Sequence, residues 1–225
     1  MIVWSLFDGS GLMVKPWADA GHDCYCFNYD EANHGSYEPI RVQHENIKYI
    51  NVWIDSNFNL FCIKRGILAP NMIFAFPDCT LFAQSGAQHK RVYGEMEYAL
   101  ANAKMISSLG RQYCCPWMVE NPVGKMSTLW RKPDHYFHPF EYGGYMTGSE
   151  EQFHPRMPAF DAYTKKTCLW TGNGFVMPEK KQVPHIGKFW GWAYLGGKSA
   201  KTKQLRSLTP RGFAAAVYEA NKKPA

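Results

Sequence analysis

A strand that turns through glycines into a helix constrains this chain more than any other feature. Ile2 to Phe7 is a short apolar run that stops at Asp8-Gly9-Ser10-Gly11, and helical spacing takes over from Leu12 to Ala20. Glycines in such a loop let the backbone pass close under a ligand, and the following helix offers free N–H groups in its first turn. Cys24 to Tyr29 reads as the next strand, closed by Asp30, which follows Gly11 by 19 residues. An acid at that place commonly bonds ribose hydroxyls.

The same alternation continues. Met72 to Phe76 is a third apolar run, stopped by Pro77. Residues 92–109 form a helix, with Met96, Ala99, Leu100, Ala103 and Ile106 at helical spacing. Trp117 to Val119 is another strand, ended by Glu120-Asn121-Pro122, and Thr167 to Thr171 is one more. A last helix runs from Pro210 to Asn221, with the proline suited to its first turn. Strands alternating with helices imply an α/β, Rossmann-like fold: an open, mostly parallel sheet with helices on both faces. At 225 residues the chain has the size of one domain, taken as 1–225. Within it, 129–165 and 185–211 read as irregular inserts forming a small basic lobe, the first rich in His, Pro, Tyr and Gly, the second in lysine and glycine.

Position 14 holds Val where a dinucleotide-binding loop carries its third glycine. That favours S-adenosylmethionine, which has no pyrophosphate, over NAD. The formal charge of +6 leaves room for a polyanionic partner. The seven cysteines are odd in number, no secretory signal precedes them, and no stretch reaches a membrane-spanning length. They are read as reduced thiols in a cytoplasm. No CxxC occurs, and the histidines His135 and His138 lack matching ligands, so no metal is expected.

Two strand ends carry the chemistry. Cys79 follows the Met72–Phe76 run within Phe76-Pro77-Asp78-Cys79-Thr80, and Glu120 closes the next strand. Ligands bind at the carboxyl ends of strands in an open α/β sheet, so a thiol and a carboxyl group would meet in one cleft as nucleophile and acid.

The order of these three pieces resembles that of the DNA cytosine-5 methyltransferases. Leu6-Phe7-Asp8-Gly9-Ser10-Gly11 is similar to their cofactor loop, Pro77-Asp78-Cys79 to their Pro-Pro-Cys loop, and Glu120-Asn121-Pro122 to their Glu-Asn-Val segment. The short bacteriophage-encoded forms look most similar, through Leu129 to Phe137, Lys165 to Gly172 and Thr209 to Ala214. The resemblance implies methyl transfer from S-adenosylmethionine to carbon 5 of cytosine in double-stranded DNA, with the base flipped out. It makes Cys79 the nucleophile that adds to carbon 6, Glu120 the acid at N3, and Asn121 the holder of the nucleophile loop. The family's basic Gln-x-Arg-x-Arg segment is not matched; Lys165 and Lys166 are its nearest substitutes, and Lys166 joins the catalytic set. The implied cofactor residues are Phe7, Asp8, Gly9, Ser10, Gly11, Asp30, Asp55 and Pro77, with Trp53 competing for the place of Asp55. Lys165, Lys198, Lys201, Lys203 and Arg206 are the implied DNA contacts.

The chain departs from the family in carrying Asp78 where the second proline stands, and a carboxylate there raises the thiol pKa. Only about 37 residues separate Gly172 from Thr209, too few for the family's usual recognition domain. Two other readings keep the fold: an enzyme acting on a free nucleotide or RNA, and a DNA-binding relative in which Asp78 has weakened catalysis.

Overall fold

Period-two alternation along the strands builds two cores, one on each face of a single sheet. In β1 (Ile2–Leu6), Val3 faces one core while Trp4 and Leu6 face the other. β2 (Asp23–Asn28) divides Cys24 and Cys26 from Tyr25 and Phe27 in the same way. β4 (Met72–Ala75) divides Met72 and Phe74 from Ile73 and Ala75. Strands apolar on both faces must be covered twice, and helices do so. α1 (Lys15–Asp19) and α7 (Arg211–Asn221) contribute Trp17, Phe213 and Val217 to the first core. α2 (Phe58–Lys64) and α3 (Tyr93–Gln112) contribute Phe58, Ala103 and Ile106 to the second. The computed structural model describes residues 1–82, 93–197 and 199–222.

The sheet has seven strands in the order β3-β2-β1-β4-β5-β7-β6, where β3 is Ile47–Asn51, β5 Trp117–Pro122, β6 His135–Phe137 and β7 Thr167–Gly172. All pairings are parallel except those of β7 with β5 and β6. This is a Rossmann-like open sheet with helices on both faces. The chain runs outward from β1 to β3, then returns to β4 on the other side of β1. The crevice beyond the carboxyl ends of β1 and β4 is therefore the switch point at which such sheets bind ligands. Because β7 is antiparallel, its N-terminal end lies beside the end of β5, with Thr167 opposite Pro122. Lys165 and Lys166 are thereby delivered to the edge that carries Glu120.

α4 (Met126–Leu129) leads into the segment 129–165, which holds β6 and two 3-10 turns at Pro139–Tyr145 and Ala159–Asp161. The segment 185–211 is more regular than its glycines suggest: it forms α5 (Trp190–Tyr194) and α6 (Ala200–Ser207), the latter capped by Ser199, whose hydroxyl accepts from the Thr202 N–H. Among the described residues no helix is long and apolar enough to cross a membrane.

Candidate active site

The loop after β1 is braced by its own acid. One Asp8 carboxylate oxygen accepts from the Ser10 and Gly11 N–H groups at 3.0 and 2.8 Å and from the Ser10 hydroxyl, and the other accepts from Ser5. Asp8 thus shapes the turn. Gly11 has φ of +75°, and a Cβ there would lie 2.2 Å from the Tyr49 hydroxyl. A Cβ on Gly9 would lie 2.2 Å from the Tyr37 ring. Phe7, at φ 57°, is turned into the left-handed region, a costly conformation that accumulates at ligand clamps.

Beyond this loop opens a cleft of about 710 Å³, bounded by Phe7, by Asn28 and Tyr29 at the end of β2, by Val52 to Ile54 after β3, and by Phe76 and Pro77 after β4. Its volume suits a cofactor-sized molecule, and its walls combine apolar side chains with polar ones, among them Asn28, Asn33, His34 and Asp78. Asp30 lies outside the lining. Arg41 donates to both its oxygens at 2.9 and 2.8 Å, and Asn28 and Ser36 donate to it as well. Asn28, two residues earlier, is the polar side chain at the strand end that lines the cleft. Asp55 lines a neighbouring hollow and accepts from the Asn57 N–H at 2.7 Å as α2 begins. Trp53 lines both spaces, with its indole N–H donating to Tyr98 at 2.7 Å.

The loop after β4 is held at both ends. The Asn121 amide donates to the Pro77 carbonyl at 2.9 Å, which joins β5 to this loop. Asp78 closes a tight turn by accepting from the Thr80 N–H and hydroxyl at 2.8 and 2.6 Å. Asn33 reaches across to Asp78 and Thr80 at 3.4 and 3.2 Å, and Lys203 of α6 in turn holds Asn33. Cys79 is half-buried in this turn. Burial pushes its thiol up to about 12, the Asp78 and Glu120 carboxylates add to the rise, and Lys165 opposes it. Burial also raises the Glu120 carboxyl, again opposed by Lys165. Thiol, acid and ammonium group therefore share one electrostatic neighbourhood at the carboxyl ends of β4 and β5.

The basic residues divide. Lys165 serves the Glu120 neighbourhood, donating to the Arg206 carbonyl at 3.0 Å with its ammonium 4.7 Å from the Phe189 ring centre. Lys166 is exposed and lies over Tyr136. Arg206 is committed to the Gly191 and Leu195 carbonyls, and Lys203 to Asn33; Lys201 is exposed. Lys198 lies outside the described residues. Sequence reasoning missed Arg41, Asn33 and Asn28; of these only Asn28, adjoining Tyr29 at a predicted strand end, carried a signal.

No protein-family model and no curated protein matches the chain. Among solved structures, the chain is similar to an E. coli protein provisionally described as a DNA modification methyltransferase encoded within a prophage. The likeness has a TM-score of 0.45 and 14% sequence identity, over 76% of this chain and 46% of that one, so this chain spans less than half of that protein's length.

Proposed function

We propose that the chain is an S-adenosylmethionine-dependent methyltransferase that modifies carbon 5 of cytosine in DNA through a covalent adduct with Cys79. The observation that supports this most is the placing of Cys79 and Glu120, with Lys165, at adjoining strand ends beside the switch-point cleft. The cleft fits the cofactor in kind: Phe7, Val52 and Phe76 offer apolar walls to a purine, and Asn28, whose amide N–H is held by Asp30, offers its Oδ1 to accept from a ribose hydroxyl. Bound there, S-adenosylmethionine would supply a methyl group made electrophilic by its sulfonium sulfur.

The residues divide the rest of the work. Cytosine C6 is a poor electrophile until the ring is protonated or hydrogen-bonded at N3. Burial raises the Glu120 carboxyl, which favours its protonated form as the donor to N3, and the carboxylate left behind would face the Lys165 ammonium. Cys79 must release its proton to solvent before Sγ bonds to C6, and that addition, with the Glu120 proton on N3, leaves C5 nucleophilic toward a methyl group. The C5 proton then passes to solvent, Sγ is eliminated from C6, and N3 returns its proton to Glu120, which restores the aromatic ring. Asn121 keeps the loop in register through the Pro77 carbonyl.

Duplex DNA carrying 5-fluorocytosine tests this reading, because fluorine at C5 cannot leave as a proton does. A stable protein–DNA adduct is expected with wild type, none with Cys79→Ser, and much less with Glu120→Gln. A Cys79→Ser protein that still methylates DNA at the wild-type rate would remove Cys79 from the reaction. Methyl incorporation into mononucleotide or RNA, but not into duplex DNA, would move the acceptor.

A further inference from the structure

We infer that Trp192 is a base-stacking residue of the nucleic-acid surface, placed on α5 beside the Cys79–Glu120 edge; the inference rests on DNA being the acceptor. Trp192 is 59% exposed, and Tyr194, two residues on in the same short helix, is 57% exposed, so two aromatic rings lie open to solvent on α5. Trp192 is not isolated. Its ring sits edge-on to Phe189 at 5.5 Å, and Phe189 lies under the Lys165 ammonium at 4.7 Å. Two contacts thus lead from the exposed indole to the lysine that faces Glu120. The segment just before α5 is fixed to the same edge, since the Phe189 N–H donates to the Thr164 carbonyl at 3.0 Å and Lys188 bridges Thr164.

Charge chooses the occupant. From Lys180 to Tyr218 the sequence contains eight lysines and arginines and no aspartate or glutamate. Of these, Lys180 and Arg211 are paired with Glu141 and Asp161, while Lys188 and Lys201 are exposed. On the outer side, the Arg156 guanidinium lies 5.0 Å from the ring centre of Tyr194, itself 57% exposed. An exposed indole on a basic stretch of chain, one ring away from the Lys165 ammonium, matches a polyanion that carries flat aromatic groups. Stacking on an aromatic side chain with phosphates held by Lys and Arg is how unpaired bases are bound. Taking one cytosine out of the helix leaves its neighbours without a stacking partner, and the exposed face of Trp192 is of the chemistry that can replace it.

The test is fluorescence anisotropy with a labelled oligonucleotide duplex containing one mismatched cytosine, using the full chain. Trp192→Ala is expected to weaken binding by at least about fivefold, and Trp192→Phe, which keeps an aromatic face, to stay near wild type. Both variants should keep wild-type S-adenosylmethionine affinity by calorimetry, because Trp192 is not among the residues that line the cofactor cleft. Wild-type binding by Trp192→Ala overturns the inference; if that protein still traps 5-fluorocytosine DNA, the methyltransferase reading survives. A change of oligomeric state in Trp192→Ala, without a change in DNA affinity, assigns the surface to a second copy of the chain and also overturns it. A wild-type protein with no affinity for the duplex overturns both readings together.

Discussion

At the residue scale, the resting Cys79 is built to be unreactive. With its pKa pushed up to about 12, it is a neutral thiol throughout the range in which a free cysteine, at about 8.5, already ionises. Burial is the main cause and the Asp78 carboxylate the second. Well below both values, the thiolate fraction of Cys79 is smaller than that of a free cysteine by a factor on the order of a thousand. Alkylation by iodoacetamide, read by peptide mass spectrometry, should therefore be far slower at Cys79 than at the exposed Cys114 near neutral pH. Its rate should keep climbing as the pH rises past 9, where a free thiol levels off. Asp78→Asn is the informative variant. Asparagine keeps an oxygen to accept from the Thr80 N–H and removes the charge, so alkylation should speed up while the turn survives. Asp78→Pro would lose both Thr80 bonds and confuse the two effects. An Asp78→Asn protein alkylated at the wild-type rate would remove Asp78 from the causes and leave burial and Glu120.

At the element scale, the division between α5, α6 and the strand ends decides which cations are free. Arg206 and Lys203 lie on one helix and are both spent on contacts within the protein, to the α5 carbonyls and to Asn33. Lys201→Ala is expected to lower DNA affinity and flatten its dependence on log salt by about 0.9. Arg206→Ala should instead lower the melting temperature through release of α5. Equal salt slopes for wild type and Lys201→Ala would make Lys201 a bystander. Sequence patterning could not separate these residues, because exposure on an eight-residue helix depends on what packs against it. It did better with the sheet. β1, β2, β4, β5 and β7 are apolar on both faces and stand out as continuous runs. β3 escaped because exposed Lys48 interrupts an edge strand, and β6 because three residues carry no period. The strand ends bearing Cys79 and Glu120 were legible for the same reason as the strands. The choice between Lys165 and Lys166 was not, since a one-residue step reverses which side a chain presents, and β7 had to be known antiparallel before either could be placed. Likewise Asp30 looked like a ribose acid in a linear pattern, and only the folded chain brings Arg41 against it.

At the scale of the whole molecule, one buried ion pair joins the irregular segment to the sheet's covering helix. Asp161 is fully buried. It accepts from the Arg211 and Gly212 N–H groups at the start of α7 and from the Arg211 guanidinium at 2.8 Å. Arg211 also donates to the Glu151 and Pro158 carbonyls, so a single side chain anchors 150–161. Around this pair Phe137 stacks on Phe213 at 4.0 Å, and Gly212 packs so tightly that a Cβ would lie 2.4 Å from the Tyr142 carbonyl oxygen. We propose that 1–225 unfolds as one domain, because these contacts fuse the segment to α7 and α7 to the sheet through Trp17 and Tyr218. Asp161→Ala should strand the Arg211 charge in the core and cost about 3–5 kcal/mol. Asp161→Asn retains acceptors for the helix N–H groups and should cost less. Urea denaturation followed by tryptophan fluorescence and by circular dichroism should give coincident single transitions for wild type. In Asp161→Ala both should shift together, because the core that α7 shares with α1 depends on the same anchor. Separate transitions for the two probes in wild type would make the segment an independent unit, and an Asp161→Ala protein of wild-type stability would show that the stacked rings hold α7 without the ion pair.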